Sequence, residues 1–388
     1  MTHTFRDIEK ILVIKLRHIG DVLLAVPVFR ALKETFSDVS LSALVNAGTE
    51  EVLQGNPLID EIITFERKVK TLYPIRRYLK ELGFLGSIKA KGFDMTVDLT
   101  GGDRASVISL ISGARYRLGW KSEKGFIGKK YAYTHLSEPD GNKHMVLQNL
   151  DVVSQLGITT NDLSVNFYIP DEDKIFIREL LKKNVEEKTN IVHIHPTSRW
   201  LFKCWKDEYM AEVICWLIEQ RIKVVVTSSP DKKEIEKAKR ILSLVSYQLS
   251  AISYQLIDLC GKTTIKHLGA ISELSDLFFG VDSAPMHIAA AVGTPVIALF
   301  GPSGAFHWGP WDNSYSSEFG VQSSESKNPY NQKNGVQTFG MHTVIQRDWD
   351  CIPCGKDGCD GSKMSKCLDD IKPEEVIEMI RDKLKAKG

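Results

Sequence analysis

Three short runs combine carboxylates, hydroxyls and cations at spacings suited to chemistry on a small charged molecule. The first is Arg17-His18-Ile19-Gly20-Asp21, directly after an apolar run. Gly20 allows tight backbone geometry, and Asp21 falls at or just before a helix start. Asp21 reads in two ways. As an N-cap it accepts free backbone N–H groups. As a general base it takes the proton of an attacking hydroxyl. The run lacks G-x-G-x-x-G, as does the stretch after Asn190–His195, which argues against a nicotinamide or flavin enzyme.

The second run is His195-Pro196-Thr197-Ser198-Arg199-Trp200-Leu201-Phe202-Lys203-Cys204-Trp205. Its hydroxyls and cations suit a pyrophosphate that gains charge as it leaves. The third is Gly280-Val281-Asp282-Ser283-Ala284-Pro285-Met286-His287, where small residues lead into a helix. The free N–H groups of such a start form a natural diphosphate seat. Ser283 adds a hydroxyl, Pro285 fits the first turn, and His287 stands within reach of a phosphate oxygen. Gly301-Pro302-Ser303 forms a neighbouring wall.

Strands and helices alternate around these runs. Lys10–Leu16, Leu41–Val45, Glu61–Phe65 and Asp94–Leu99 read as strands. Helices are expected over Asp21–Phe36, Leu72–Lys89, from Asp103, and over His144–Leu156. A second series has strands at Asn190–His195, Lys223–Thr227, Gln255–Cys260, Asp276–Val281 and Pro295–Phe300. Asp171–Asn184 and Pro373–Ala386 read as helices. Ser314–Gly340 breaks the pattern and reads as a mobile polar insertion. The fold class is therefore α/β. Two Rossmann-like domains, 1–170 and 171–388, are expected to carry parallel sheets and to face each other across an interdomain cleft. Ligands of open parallel sheets bind at the carboxyl ends of the strands, where all three runs lie.

The 388 residues suit two domains, and 43% hydrophobic with 26% charged residues is ordinary for a soluble protein. A net charge of +1 gives no reason to expect nucleic acid as a partner. The N-terminus carries acids without an apolar core, so no signal peptide is read, and no run is long enough to span a membrane. The expected location is cytoplasmic, with peripheral contact on the inner membrane left open. Cys351, Cys354, Cys359 and Cys367 are spaced C-x2-C-x4-C-x7-C. That spacing leaves three states open: a structural zinc site, free thiols or disulfides.

Together the motifs acquire a family likeness. Ile14–Leu24 (IKLRHIGDVLL), His195–Trp205, Gly280–Ala291 (GVDSAPMHIAAA) and Leu299–Ser303 (LFGPS) resemble the ADP-heptose:lipopolysaccharide heptosyltransferases of glycosyltransferase family 9, with wording similar to the heptosyltransferase III branch. The resemblance implies a GT-B fold and an inverting transfer from ADP-L-glycero-D-manno-heptose to the lipopolysaccharide inner core, with no metal required for catalysis. It implies Asp21 as base and Thr197, Ser198 and Lys203 as diphosphate or heptose contacts. Asp282 would hold sugar hydroxyls, with Ser283, Ala284 and His287 near the diphosphate. Glu234 or Glu236 is implied at the ribose, and Arg17 and Arg104 on the acceptor side. Ser314–Gly340 looks longer than the family's usual loop here. Two alternatives stand beside this reading. One is a GT-B transferase with a UDP- or GDP-sugar donor, the other a non-catalytic nucleotide-sugar-binding protein.

Overall fold

The computed structural model describes residues 5–66, 74–122, 125–182, 189–248, 255–315 and 328–386. The chain divides into two compact units, with the change at Tyr168–Ile169 against the expected 170/171.

In the first unit, β1 (Lys10–Lys15), β2 (Ser40–Asn46), β3 (Glu61–Phe65), β4 (Met95–Asp98), β5 (Tyr116–Trp120) and β6 (His135–Ser137) form one sheet. Its order is β3-β2-β1-β4-β5-β6, and every neighbouring pair is parallel. The helices are α1 (Ile19–Leu23), α2 (Val26–Thr35), α3 (Pro74–Ala90), α4 (Asp103–Ile111) and α5 (Met145–Ser154). β1 is apolar because both its faces are covered: Ile11, Leu12, Val13 and Ile14 are buried.

In the second unit, the helices are α6 (Asp171–Lys182), α7 (Asp207–Glu219), α8 (Lys232–Gln248), α9 (Ile265–Glu273), α10 (Ala284–Ala291), α11 (Ala305–Trp308), α12 (Lys366–Asp370) and α13 (Pro373–Lys385). The strands are β7 (Ile191–His195), β8 (Lys223–Ser228), β9 (Leu256–Cys260), β10 (Leu277–Val281), β11 (Val296–Leu299), β12 (Gln337–Phe339) and β13 (His342–Ile345). They order as β12-β13-β11-β10-β7-β8-β9, with only the β12–β13 pair antiparallel. The C-terminal helix belongs to this core. Ile371, Val376 and Ile380 pack with Trp205 and Val224, and the Trp205 indole donates to the Ile371 carbonyl at 3.2 Å.

The observed elements depart from the sequence expectations in several places. Asp21–Phe36 is two helices, because Pro27 lacks the N–H a continuous helix needs and instead opens the second one. β5 and β6 were not expected, since their tyrosine, arginine, tryptophan and histidine interrupt any apolar run. Within Ser314–Gly340, residues 316–327 lie outside the described residues. The rest is built into the fold: Tyr330 is buried and donates to the Pro310 carbonyl at 2.7 Å, and Gln337–Phe339 is a strand. Residues 72, 73, 183 and 184, at the ends of two expected helices, also lie outside the described residues.

β10 and β7 approach closely at Gly280, whose register partner is His195. A Cβ there would meet the His195 carbonyl oxygen at 2.8 Å and the Phe278 ring at 2.9 Å. Gly280→Ala is therefore expected to cost about 1–3 kcal/mol by overpacking, read as a lower denaturation midpoint at unchanged slope. An unchanged midpoint refutes the constraint.

Candidate functional site

Strand order reverses at two places: between β1 and β4 in the first sheet, and between β7 and β10 in the second. Loops leaving neighbouring strands in opposite directions open a crevice at such a point. Asp21 lies just after β1 at the first of these points, and Lys203, Asp282 and Ser283 lie in the loops after β7 and β10 at the second.

In the first unit the loop after β1 is pinned to the loop after β4. The Leu16 N–H donates to Thr100 Oγ1 at 2.8 Å, and the Arg17 guanidinium donates to the Thr100 carbonyl at 2.9 Å. Asn46 Nδ2 donates to the Arg17 carbonyl at 2.9 Å. Asp21 is the third residue of α1, not its N-cap, which is His18. Its carboxylate accepts the His18 N–H at 3.4 Å, the reach-back half of a capping box. That long contact leaves the partly exposed carboxylate with spare acceptor capacity.

Beneath this loop lies a buried ammonium that the sequence reading did not single out. Lys15 Nζ donates to the Leu99 carbonyl at 2.9 Å and to Asn149 Oδ1 at 2.8 Å. Asn149 Nδ2 in turn donates to the Leu24 carbonyl at 3.0 Å, at the end of α1. Burial pushes Lys15 down to about 8, opposed by the negative charge of Asp21. Asp98, also buried, is pushed up by desolvation, while hydrogen bonds from Tyr133 and the Thr100 and Gly101 N–H groups act against that shift. A lysine in an otherwise apolar strand was the available signal.

Arg17 is exposed at the loop. Arg104 lies on α4, with its guanidinium 4.7 Å over the Phe65 ring and 3.7 Å from the Glu81 carboxylate. It lines a pocket with Phe65, Glu81, Phe84 and Val107.

In the second unit the two loops of the switch point are joined by charge. Lys203 Nζ donates to Asp282 Oδ2 at 2.6 Å. Ser283 is the N-cap of α10, and its buried hydroxyl has no hydrogen-bond partner among the described residues. Ala284 opens the helix and buried His287 follows one turn in. Ser198 is buried and accepts the Trp200 N–H at 3.4 Å. Glu234, rather than Glu236, belongs to this cluster. Buried in the first turn of α8, it accepts the Thr197 hydroxyl at 2.7 Å and the Ser229 hydroxyl at 2.6 Å. Glu236 is exposed and faces Lys232 at 3.9 Å.

The cysteines behave differently. All seven are free thiols. Cys351 and Cys354 are exposed, Cys359 is half-buried, and burial pushes Cys367 up to about 11. Among the described residues no three His, Cys, Asp or Glu side chains are grouped as metal ligands.

Each of the two Rossmann-like units thus carries a polar cluster at its strand-reversal point. The profile described as glycosyltransferase family 9 (heptosyltransferase) matches residues 83–335. Lipopolysaccharide heptosyltransferase 3 of Escherichia coli is 32% identical over 303 residues, covering 77% of this chain and 85% of its own. A family 9 glycosyl transferase structure from Veillonella parvula superposes with a TM-score of 0.73 at 21% identity, over 97% of both chains. The structure of E. coli ADP-heptose lps heptosyltransferase II gives 0.68 at 18%, over 97% of this chain and 99% of that one. The chain belongs to glycosyltransferase family 9.

Lys15 makes a pH prediction. Its folded value of about 8 lies below the ordinary 10.5, so between these the unfolded chain binds more protons and this group's contribution to stability rises with pH. Relative to Lys15→Met, the parent should gain about 2 kcal/mol between about pH 7.5 and about pH 9.5 in denaturant titrations. Parallel pH profiles refute the buried-ammonium assignment.

Proposed function

We propose that this chain transfers heptose from ADP-L-glycero-D-manno-heptose to a hydroxyl of the lipopolysaccharide inner core, with inversion. The observation that carries the reading is the second-unit cluster: Lys203 on Asp282, the Ser283 hydroxyl at the α10 start, and Glu234 between Thr197 and Ser229. A nucleoside diphosphate sugar needs these groups. Lys203 has three N–H donors and spends one on Asp282, so two remain for phosphate oxygens. The N–H groups of Ala284 and its neighbours, with the Ser283 hydroxyl, serve the same charge. Glu234 retains lone pairs for ribose hydroxyls, and Asp282 Oδ1 for donor sugar hydroxyls.

The reaction is a direct displacement. The acceptor oxygen attacks the anomeric carbon, the bond to the ADP oxygen breaks with oxocarbenium character, and Asp21 receives the acceptor's proton. Charge on the departing diphosphate is met by Lys203 and the α10 start, so the scheme requires no metal ion. Arg17 and Arg104 are cations available to an anionic acceptor.

The test offers ADP-, UDP- and GDP-sugars with truncated lipopolysaccharide cores and reads new product by mass spectrometry. Heptose addition from the ADP donor is expected. Asp21→Asn should lower kcat by about 10²–10⁴ while leaving ADP binding within twofold. Transfer from a UDP- or GDP-sugar overturns the donor. Donor binding without product from any pair favours a binding protein instead.

We further propose that the enzyme works cytoplasmically while resting on an anionic bilayer through its first unit. No helix among the described residues is long and apolar enough to cross a membrane. The outward face of α3 carries Tyr78, Leu79 and Leu82, exposed by 67%, 63% and 63%, beside Arg76 and Lys80. The β5–β6 connection exposes Phe126, Ile127 and Tyr131 beside Lys130. Apolar residues rimmed by cations suit an interfacial surface. Flotation with phosphatidylglycerol vesicles should recover the parent, and the double variant Leu79→Glu, Leu82→Glu should lose most binding while keeping activity on a soluble core acceptor. Equal flotation of both removes this face from the proposal.

A further inference from the structure

A line of polar side chains runs beneath the second-unit cluster, and none of it is used above except its last members. His193 and His195 alternate along β7 and so share one face of the sheet. Thr227 lies beside them on β8, and Ser272 comes from α9. Ser272 Oγ lies 2.8 Å from His193 Nδ1, and His193 Nε2 lies 2.8 Å from Thr227 Oγ1. Thr227 Oγ1 lies 2.9 Å from His195 Nδ1. His195 Nε2 faces Thr197 Oγ1 at 3.5 Å, the longest joint. Thr197 then reaches Glu234 at 2.7 Å. All six residues are buried.

The direction of every hydrogen in this line follows from its end. A carboxylate only accepts, so the Thr197 hydroxyl spends its single hydrogen on Glu234. The Thr197 oxygen can then only accept from His195, so His195 carries its proton on Nε2. Both imidazoles are neutral, since burial pushes His195 down to about 3 and His193 well below its ordinary value. A neutral ring protonated on Nε2 has a bare Nδ1. Thr227 therefore donates to His195 Nδ1 and must accept from His193 Nε2. His193 Nδ1 is bare in turn and accepts the Ser272 hydroxyl.

We infer that His193, Thr227 and His195 are positioning residues for the nucleotide half of the donor site: a one-way hydrogen-bond relay from Ser272 to Glu234 that fixes both imidazole tautomers and aims the carboxylate. The inference rests on the proposed role of Glu234 in holding the donor. Loss of the Thr227 hydroxyl leaves His195 Nδ1 without a donor. The ring is then free to take the other tautomer, which turns a bare Nε2 toward Thr197. The Thr197 hydroxyl would swing to that nitrogen and release Glu234.

Long-range 15N–1H correlation on the full parent chain tests the relay directly. Both His193 and His195 should be neutral and protonated on Nε2 at neutral pH. Protonation on Nδ1 at either ring, or an imidazolium, overturns it. Calorimetry with ADP tests the consequence. Thr227→Val should weaken ADP about tenfold, Thr227→Ser should restore it to within twofold, and Glu234→Ala should weaken it at least as much as Thr227→Val. If Glu234→Ala weakens ADP and Thr227→Val does not, the relay fails while the donor role of Glu234 stands. If Glu234→Ala binds ADP like the parent, that role falls and the purpose assigned to the relay falls with it.

Discussion

Reversal of strand order is the constraint on which this molecule depends. In each sheet the chain leaves two neighbouring parallel strands in opposite directions, and the gap that results cannot be filled by the helices on either side. In the first unit the gap between β1 and β4 holds the Asp21 loop, laced to Thr100 by Leu16 and Arg17. In the second, the gap between β7 and β10 is crossed by the Lys203–Asp282 pair. Sheet order therefore decides which loops face one another before any side chain is chosen. Gly280 shows how tightly the second crossing is built, since a Cβ there would lie only 2.8 Å from its neighbour's carbonyl oxygen.

The two gaps are furnished differently, and the difference matches the proposed division of labour. The first offers a carboxylate with spare lone pairs on a short helix. That helix is held from below by Lys15 through Asn149 and the Leu24 carbonyl. A buried ammonium is costly, and burial already lowers its proton affinity. Its retention makes sense if the negative charge of Asp21 nearby is worth keeping in place. The second gap offers donors: a lysine, a helix start and an unspent hydroxyl. Those groups favour an anion and have little use for a neutral hydroxyl, whereas Asp21 has the opposite preference.

Much of this was readable along the chain because the motifs are local. Gly20-Asp21 after an apolar strand, and Asp282-Ser283-Ala284-Pro285 before a run of small residues, announce their loops by neighbours a few positions away. What escaped was long-range or weakly patterned. Lys15 is explained by Leu99 and Asn149, which lie 84 and 134 residues away in sequence. The alternation of His193 and His195 marks a shared face, but nothing adjacent in sequence names Thr227 or Ser272 as their partners. Pro27 fits the first turn of one helix as well as it interrupts another, so periodicity alone joined α1 to α2. β12 and β13 escaped because Gln337, Thr338 and His342 give a strand no apolar signature. Glu234 and Glu236 are two positions apart on one helix, and only the direction of each side chain separates a buried acceptor from an exposed surface acid.

The furnishing around Glu234 raises a question of chemical economy. A buried carboxylate is usually stabilised by a cation, yet Glu234 is held by two hydroxyls. A lysine or arginine in that position would draw the oxygens toward itself and compete with any neutral hydroxyl from a ligand. It would also place positive charge where the proposed donor presents only a sugar ring. Hydroxyls satisfy the carboxylate without monopolising it, because each takes one lone pair and leaves others free. Hydroxyls have a weakness of their own, since they rotate. Thr197 could turn from Glu234 at little cost unless its oxygen is engaged from behind, and the His195 ring stands there. An imidazole suits this task better than another hydroxyl, because its two nitrogens lie in a rigid plane and a neutral ring can donate from only one of them. The rigidity that a salt bridge would have supplied by charge is here supplied by geometry. Lys203 is then left to the part of the site where charge is required.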